Sequence, residues 1–138
     1  MTQEMQSANG VRSVRTSAAP AAIGPYSQAT VANGLIFVSG QLPVAPGTSE
    51  LCSDEIAGQT QQCLRNVGAI LTAAGASLDD VVKTTVLLTD LTSFDVVNAV
   101  YAGFFDGGVP PARATYQVGR LPKDALIEIE AVAMCRDL

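Results

Sequence analysis

The chain reads as an α+β domain, a single mixed sheet of about six strands with both helices on one face. Three observations predict it. Asn33-Gly34 sits between two short apolar runs, the pattern of a tight β-hairpin. Two segments with apolar residues at a period near 3.6 flank a β-branched run. Two more strand-like runs then close the chain.

The elements follow in order. Residues 1–10 are polar and read as a flexible N-terminal arm, leaving 11–138 as one domain. Residues 11–16 alternate apolar and polar, as in a strand exposed on one side. The Ala- and Pro-rich 17–24 is a loop. Residues 29–32 and 35–39 are the arms of the hairpin, because Asn-Gly suits the positive φ angles of a type I′ turn. Pro43, Pro46 and Gly47 make 41–49 a loop. Ser53 or Asp54 is positioned to cap a helix from about Glu55 to Ala74. Its apolar face runs Ile56, Cys63, Leu64, Val67, Ile70, Leu71 and Ala74, and Gly75 supplies the stop. Residues 81–89 form a central strand. Thr92 with Asp95 has the spacing of a capping box for a helix reaching Phe105, with a buried stripe of Phe94, Val97, Tyr101, Phe104 and Phe105. Residues 113–118 and 126–134 are the last strands.

Composition narrows function. The chain of 138 residues suits one domain with its own core. Its residues are 48% hydrophobic and only 15% charged, against about 25% charged in ordinary domains. So few charges predict a subunit that buries part of its outside in a homo-oligomer. Thirteen acidic and eight basic residues give a net charge of −5, and the basic residues are scattered, which argues against nucleic acid and anionic membranes as partners. Cys52, Cys63 and Cys135 are odd in number and lack metal-ligand spacing. With no secretory signal and no apolar run of membrane-spanning length, a cytoplasmic location is expected.

There is no histidine, so chemistry must come from Arg, Glu, Tyr, Ser, Asn and backbone groups. Arg113 follows Pro110-Pro111 at a strand mouth and shares a face with Thr115. A guanidinium there can grip a carboxylate through two parallel hydrogen bonds, although spacing alone favours a surface ion pair. Glu128 and Glu130 share a strand face, about 7 Å apart. Spacing alone favours a solvated pair or pairing with Lys83 or Lys123; a partly buried carboxylate beside a water could instead act as general base. Asn98 lies near its helix's apolar stripe and either ties the helix to backbone or faces a ligand. Tyr26 enters a strand from a loop, and Gly40 beside Ser39 permits a close backbone approach.

Five segments in order resemble the RidA (YjgF-type) family of reactive-intermediate deaminases. They are 22–29 (AIGPYSQA), 37–41 (FVSGQ), 82–86 (VKTTV), 111–113 (PAR), and 121–124 (LPKD) with 127–131 (IEIEA). The resemblance covers about 21–133 and implies a chorismate-mutase-like subunit in a homotrimer, with clefts between subunits. It implies hydrolysis of 2-imino acids and their enamine tautomers, such as 2-aminoacrylate, to 2-keto acids and ammonia, without metal or cofactor. Arg113 would grip the substrate carboxylate and Glu128 would handle the water. Tyr26, Ser39, Gly40 and Asn98 would line the cleft, with Thr115 standing where some relatives carry cysteine. The alternatives are a non-catalytic protein that binds small keto acids in the same cleft as a sensor, or the ribonuclease or chaperone-like roles attributed to some relatives.

Overall fold

The computed structural model describes residues 5–136, so of the expected N-terminal arm residues 1–4 lie outside the described residues. Met5–Gly10 fold back along the first strand, where the Ser13 amide donates to the Met5 carbonyl at 2.7 Å.

Six strands form one sheet: β1 (Arg12–Val14), β2 (Ala29–Ala32), β3 (Leu35–Gln41), β4 (Val81–Leu88), β5 (Ala112–Gln117) and β6 (Ile127–Met134). Their spatial order is β1-β2-β3-β6-β4-β5. Only β4 and β5 pair in parallel; the other neighbours are antiparallel. Asn33 and Gly34, at φ 51° and 75°, make the β2–β3 turn with the two positive angles a type I′ hairpin requires. Helix α1 (Ile56–Ala73) carries the chain from β3 to β4, and α2 (Phe94–Phe104) carries it from β4 to β5. The last strand, β6, then enters the sheet between β3 and β4.

Alternation along β6 sets the two faces of the sheet. Ile127, Ile129, Ala131 and Ala133 are buried beneath the helices, whereas Glu128, Glu130, Val132 and Met134 point to the uncovered side. The core joins them to Ile36, Val38, Val86 and Leu88 of the sheet and to Cys63, Leu64, Val67, Ile70 and Leu71 of α1. On the uncovered face Phe37 and Met134 are 43% and 56% exposed beside Val132, an apolar surface a lone subunit leaves in water.

The helix ends depart from expectation. Glu55 is the N-cap of α1 and makes no side-chain capping bond. Ser53 instead accepts the Glu55 amide before the helix starts, and Gln59 reaches back to the Ser53 carbonyl. Thr92 and Asp95 form no capping box. Asp90 accepts the Thr92 amide and organises a single 3-10 turn, Leu91–Ser93, so α2 starts only at Phe94. A capping box does occur at Ser77 and Asp80, ahead of β4. The stop at Gly75 is as expected: at φ 82° its amide bonds to Thr72, and the Ala76 amide to Leu71, the paired bonds of a Schellman motif. In the α2 stripe Val97, Tyr101 and Phe105 are buried, but Phe94 is 37% exposed and lies at the rim.

Candidate functional site

The candidate residues fall into two separate groups. The first centres on Arg113. In the parallel register it pairs with Thr84, whose side chain is buried under the helices, so Arg113 also points to the helix side. Its Nη1 donates to Asn98 Oδ1 at 2.8 Å. Its guanidinium carbon lies over two rings of α2, 4.8 Å from the Tyr101 centroid and 5.3 Å from that of Phe94. The Tyr101 hydroxyl is 2.6 Å from Thr84 Oγ1, in a buried hydrogen bond. Burial pushes the Tyr101 phenol upward, so it remains a protonated ring. Among the described residues no carboxylate pairs with Arg113, which rules out the surface ion pair that spacing favoured. Most of the five guanidinium N–H donors stay available to an anion. Thr115 follows on the same face, opposite buried Val86.

The second group centres on Glu128. Strand β3 carries a bulge, because Val38 pairs with Ala131 but Gln41 with Ile129. The extra residue falls at Ser39-Gly40 and brings the Gly40 backbone against the Glu128 side chain. A Cβ on Gly40 would lie 2.8 Å from the Glu128 carboxyl carbon. Only glycine leaves that carboxylate where it is. Burial, and then the like charge of Glu130, hold Glu128 above the ordinary glutamate range. Neither Lys83 nor Lys123 pairs with it among the described residues. A half-buried carboxylate with a raised pKa holds a proton more readily than an exposed one, which suits it to taking and returning one.

Ser39 donates its hydroxyl to the Ser27 carbonyl at 2.6 Å, and its amide donates to Gln28. It therefore ties the loop bearing Tyr26 to the bulge that bears Gly40. The Tyr26 ring is 54% exposed, and its hydroxyl accepts the Ile23 amide at 3.4 Å. This loop borders a groove of about 730 Å³ that also takes in Arg15, Thr16 and Ser27.

Of the sequence-derived candidates, Arg113 and Asn98 meet under α2 with Thr115 on the same strand face, while Gly40 meets Glu128, with Ser39 beside Gly40 tied to the loop that bears Tyr26. The two groups do not meet within one subunit. Glu128 pairs with Leu87, three residues along β4 from the partner of Arg113, and β5 lies two strands from β6. Those offsets separate the two Cα atoms by roughly 14 Å, with side chains on opposite faces of the sheet.

Sequence reasoning missed what two residues touch and the role of a third in holding its loop. Phe94 and Tyr101 entered only as core, yet with Asn98 they occupy positions i, i+7 and i+4 of one helix face, all turned to Arg113. Gln28, 3% exposed, accepts the Thr16 amide and donates to the Thr16 and Pro20 carbonyls, pinning the loop ahead of Tyr26. Its signal was a polar amide directly before an apolar strand. Cys63 is buried, with its thiol pushed well up by burial, and packs as an apolar residue. Among the described residues no cluster of Cys, Asp or Glu could hold a metal ion, and no helix is long and apolar enough to cross a membrane.

Comparison with known proteins gives consistent relatives. The family model described as Endoribonuclease L-PSP matches residues 16–135. Human 2-iminobutanoate/2-iminopropanoate deaminase is 49% identical over 123 residues, covering 89% of this chain and 89% of that protein. Arabidopsis thaliana Reactive Intermediate Deaminase A, chloroplastic, is 52% identical over 120 residues, covering 87% of this chain and 64% of that one. Among solved structures, the YjgF gene product of E. coli superposes with a TM-score of 0.86 at 48% identity, covering 90% of this chain and 98% of that one. E. coli TdcF with bound serine gives 0.85 at 45%, covering 88% and 97%.

Proposed function

The chain belongs to the RidA/YjgF family, and from that premise we propose that it hydrolyses 2-imino acids to 2-keto acids and ammonia. The observation that carries the reading is the guanidinium of Arg113. It is oriented by Asn98 and two rings, has no carboxylate partner among the described residues, and is built to receive one.

The reaction asks little of the protein. A protonated imine carbon is already electrophilic, so orientation and one proton carrier suffice. Arg113 takes the substrate carboxylate in a bidentate grip. Glu128, ionised, accepts a proton from water as its oxygen bonds to the imine carbon, giving a carbinolamine. Glu128 then returns that proton to the nitrogen; as the C–N bond breaks and ammonia leaves, the again-ionised Glu128 takes the hydroxyl proton so that the keto group forms, and the departing ammonia carries that proton away as ammonium. Enamines enter the same path once carbon protonation has converted them to imines. The raised pKa of Glu128 serves both halves of the cycle. No step calls for a metal or redox group.

Arg113 and Glu128 face opposite sides of one sheet, so one subunit cannot present both to a single substrate. We place the site between subunits of a homotrimer, Arg113 with Asn98 and Thr115 from one and Glu128 with Gly40, Ser39 and Tyr26 from its neighbour. The uncovered apolar face around Phe37, Val132 and Met134 supports such an assembly.

The test is complementation. Arg113→Ala and Glu128→Gln are each expected to be inactive alone. Mixed, unfolded and refolded together in equal amounts, they should recover about a quarter of wild-type activity, because each mixed trimer regains one intact site. No recovery in verified mixed trimers refutes the shared site. Wild-type turnover by Arg113→Ala refutes the deaminase reading. Full keto-acid binding by a wild-type protein without turnover would favour a binding role instead.

A further inference from the structure

Phe94, Asn98 and Tyr101 stand at i, i+4 and i+7 on α2, so the Cα atoms of the two aromatic residues are about two helical turns, roughly 10.5 Å, apart along the axis. The guanidinium of Arg113 lies 5.3 Å from one ring centre and 4.8 Å from the other, with Asn98 bonded to it from the middle of the same helix face. It therefore lies against both rings. A planar guanidinium held over aromatic faces keeps its N–H donors at the edge, pointing away from the rings.

The clamp is anchored from behind. Tyr101 is 8% exposed, packs on Phe105 with ring centres 4.6 Å apart, and bonds through its hydroxyl to Thr84. Thr84 is the buried residue beside Arg113 in the parallel register. Two adjacent strands thus hold the arginine backbone and, through Tyr101, the ring its side chain lies on. Asn98 accepts one hydrogen bond and removes one remaining freedom, rotation in the plane.

We infer that Phe94 and Tyr101 are positioning residues that fix the plane of the Arg113 guanidinium, so that its free edge meets the substrate carboxylate without reordering. This rests on the deaminase reading for the identity of the anion. The clamp lowers the entropy lost on binding, since an arginine side chain otherwise gives up several rotamers to make a bidentate contact.

The experiment is a thermodynamic cycle read by NMR titration with pyruvate, a 2-keto acid product. Phe94→Leu and Tyr101→Leu are made with Arg113 present and again in Arg113→Ala. Each is expected to weaken pyruvate binding about fivefold when Arg113 is present and to change it little when Arg113 is gone. Phe94→Tyr keeps the ring and should stay near wild type. Equal weakening in both backgrounds, or none with Arg113 present, overturns the clamp. Phe94 is at the rim, so its substitution decides the matter even where Tyr101→Leu does not fold. If Arg113→Ala alone leaves pyruvate affinity intact, the deaminase reading fails at its anchor. If Arg113→Ala weakens binding and the ring changes do not, only the clamp fails.

Discussion

Replacing Gly40 with alanine adds one methyl group and moves the Glu128 carboxylate. The new Cβ would lie 2.8 Å from the Glu128 carboxyl carbon and 3.2 Å from its Cγ, well inside van der Waals contact. Gly40 does not have a positive φ, so the backbone accepts alanine without strain. The side chain of Glu128 must therefore yield by rotating away. Stability should barely change. An off-rotamer side chain costs about 0.5–1.5 kcal/mol. Alanine in place of glycine returns roughly 0.4–1 kcal/mol by restricting the unfolded chain. The net falls within about 1 kcal/mol, a few degrees in Tm for a domain of this size. Activity should fall far more. A misplacement of about 1 Å can cost roughly a hundredfold, and loss of a general base or acid 10²–10⁴-fold. The assay follows keto acid and ammonia from an imino acid generated in situ, with thermal unfolding in parallel. Glu128→Ala supplies the control, since adding Gly40→Ala to it should cost little further activity. Wild-type turnover by a folded Gly40→Ala protein would refute the reasoning. So would a further hundredfold loss in the double variant.

Glu130→Gln should move the acidic limb of the kcat/KM profile to lower pH. Activity requires ionised Glu128, whose pKa is raised by burial and then by Glu130, and removing the neighbouring charge lowers it. A limb that stays in place would detach Glu128 from that ionisation. Arg113→Lys keeps the charge but loses the fork and the flat surface against Phe94 and Tyr101, so calorimetric titration with pyruvate should show affinity down about tenfold or more. Gly75→Ala forces a Cβ into a φ of 82° at the Schellman stop of α1. Urea unfolding should register a loss of about 1–2 kcal/mol with an unchanged m-value, and turnover per folded molecule should stay at wild type.

The sheet and both helices were legible because their signals are local. Asn33-Gly34 declares its turn by the angles it tolerates, and Ile127, Ile129, Ala131 and Ala133 declare their buried face by alternation. The helix starts were harder. Thr92 and Asp95 have capping-box spacing, but Asp90 takes the Thr92 amide first and shifts the start by one residue. Several side chains compete for the same backbone donors, and spacing does not reveal the winner. The site was legible as residues and not as a place. Arg113 and Glu128 each stand out on their own strand, but the sides they face depend on strand order, set when β6 enters between β3 and β4. The bulge at Ser39-Gly40 depends on a register that no short segment encodes. The sequence pattern places Phe94 in the core, because a helical stripe looks alike whether it meets aliphatic side chains or a guanidinium.

The opposed orientation of Arg113 and Glu128 has a genetic consequence. If each subunit lends its arginine to one cleft and its glutamate to another, a chain defective in both residues silences two of a trimer's three clefts. Such an allele would act dominantly, poisoning assemblies built largely from healthy copies. A chain that failed to fold would enter no assembly and would be recessive. Selection on this sheet would then weigh each substitution twice, once for its own subunit and once for its neighbour.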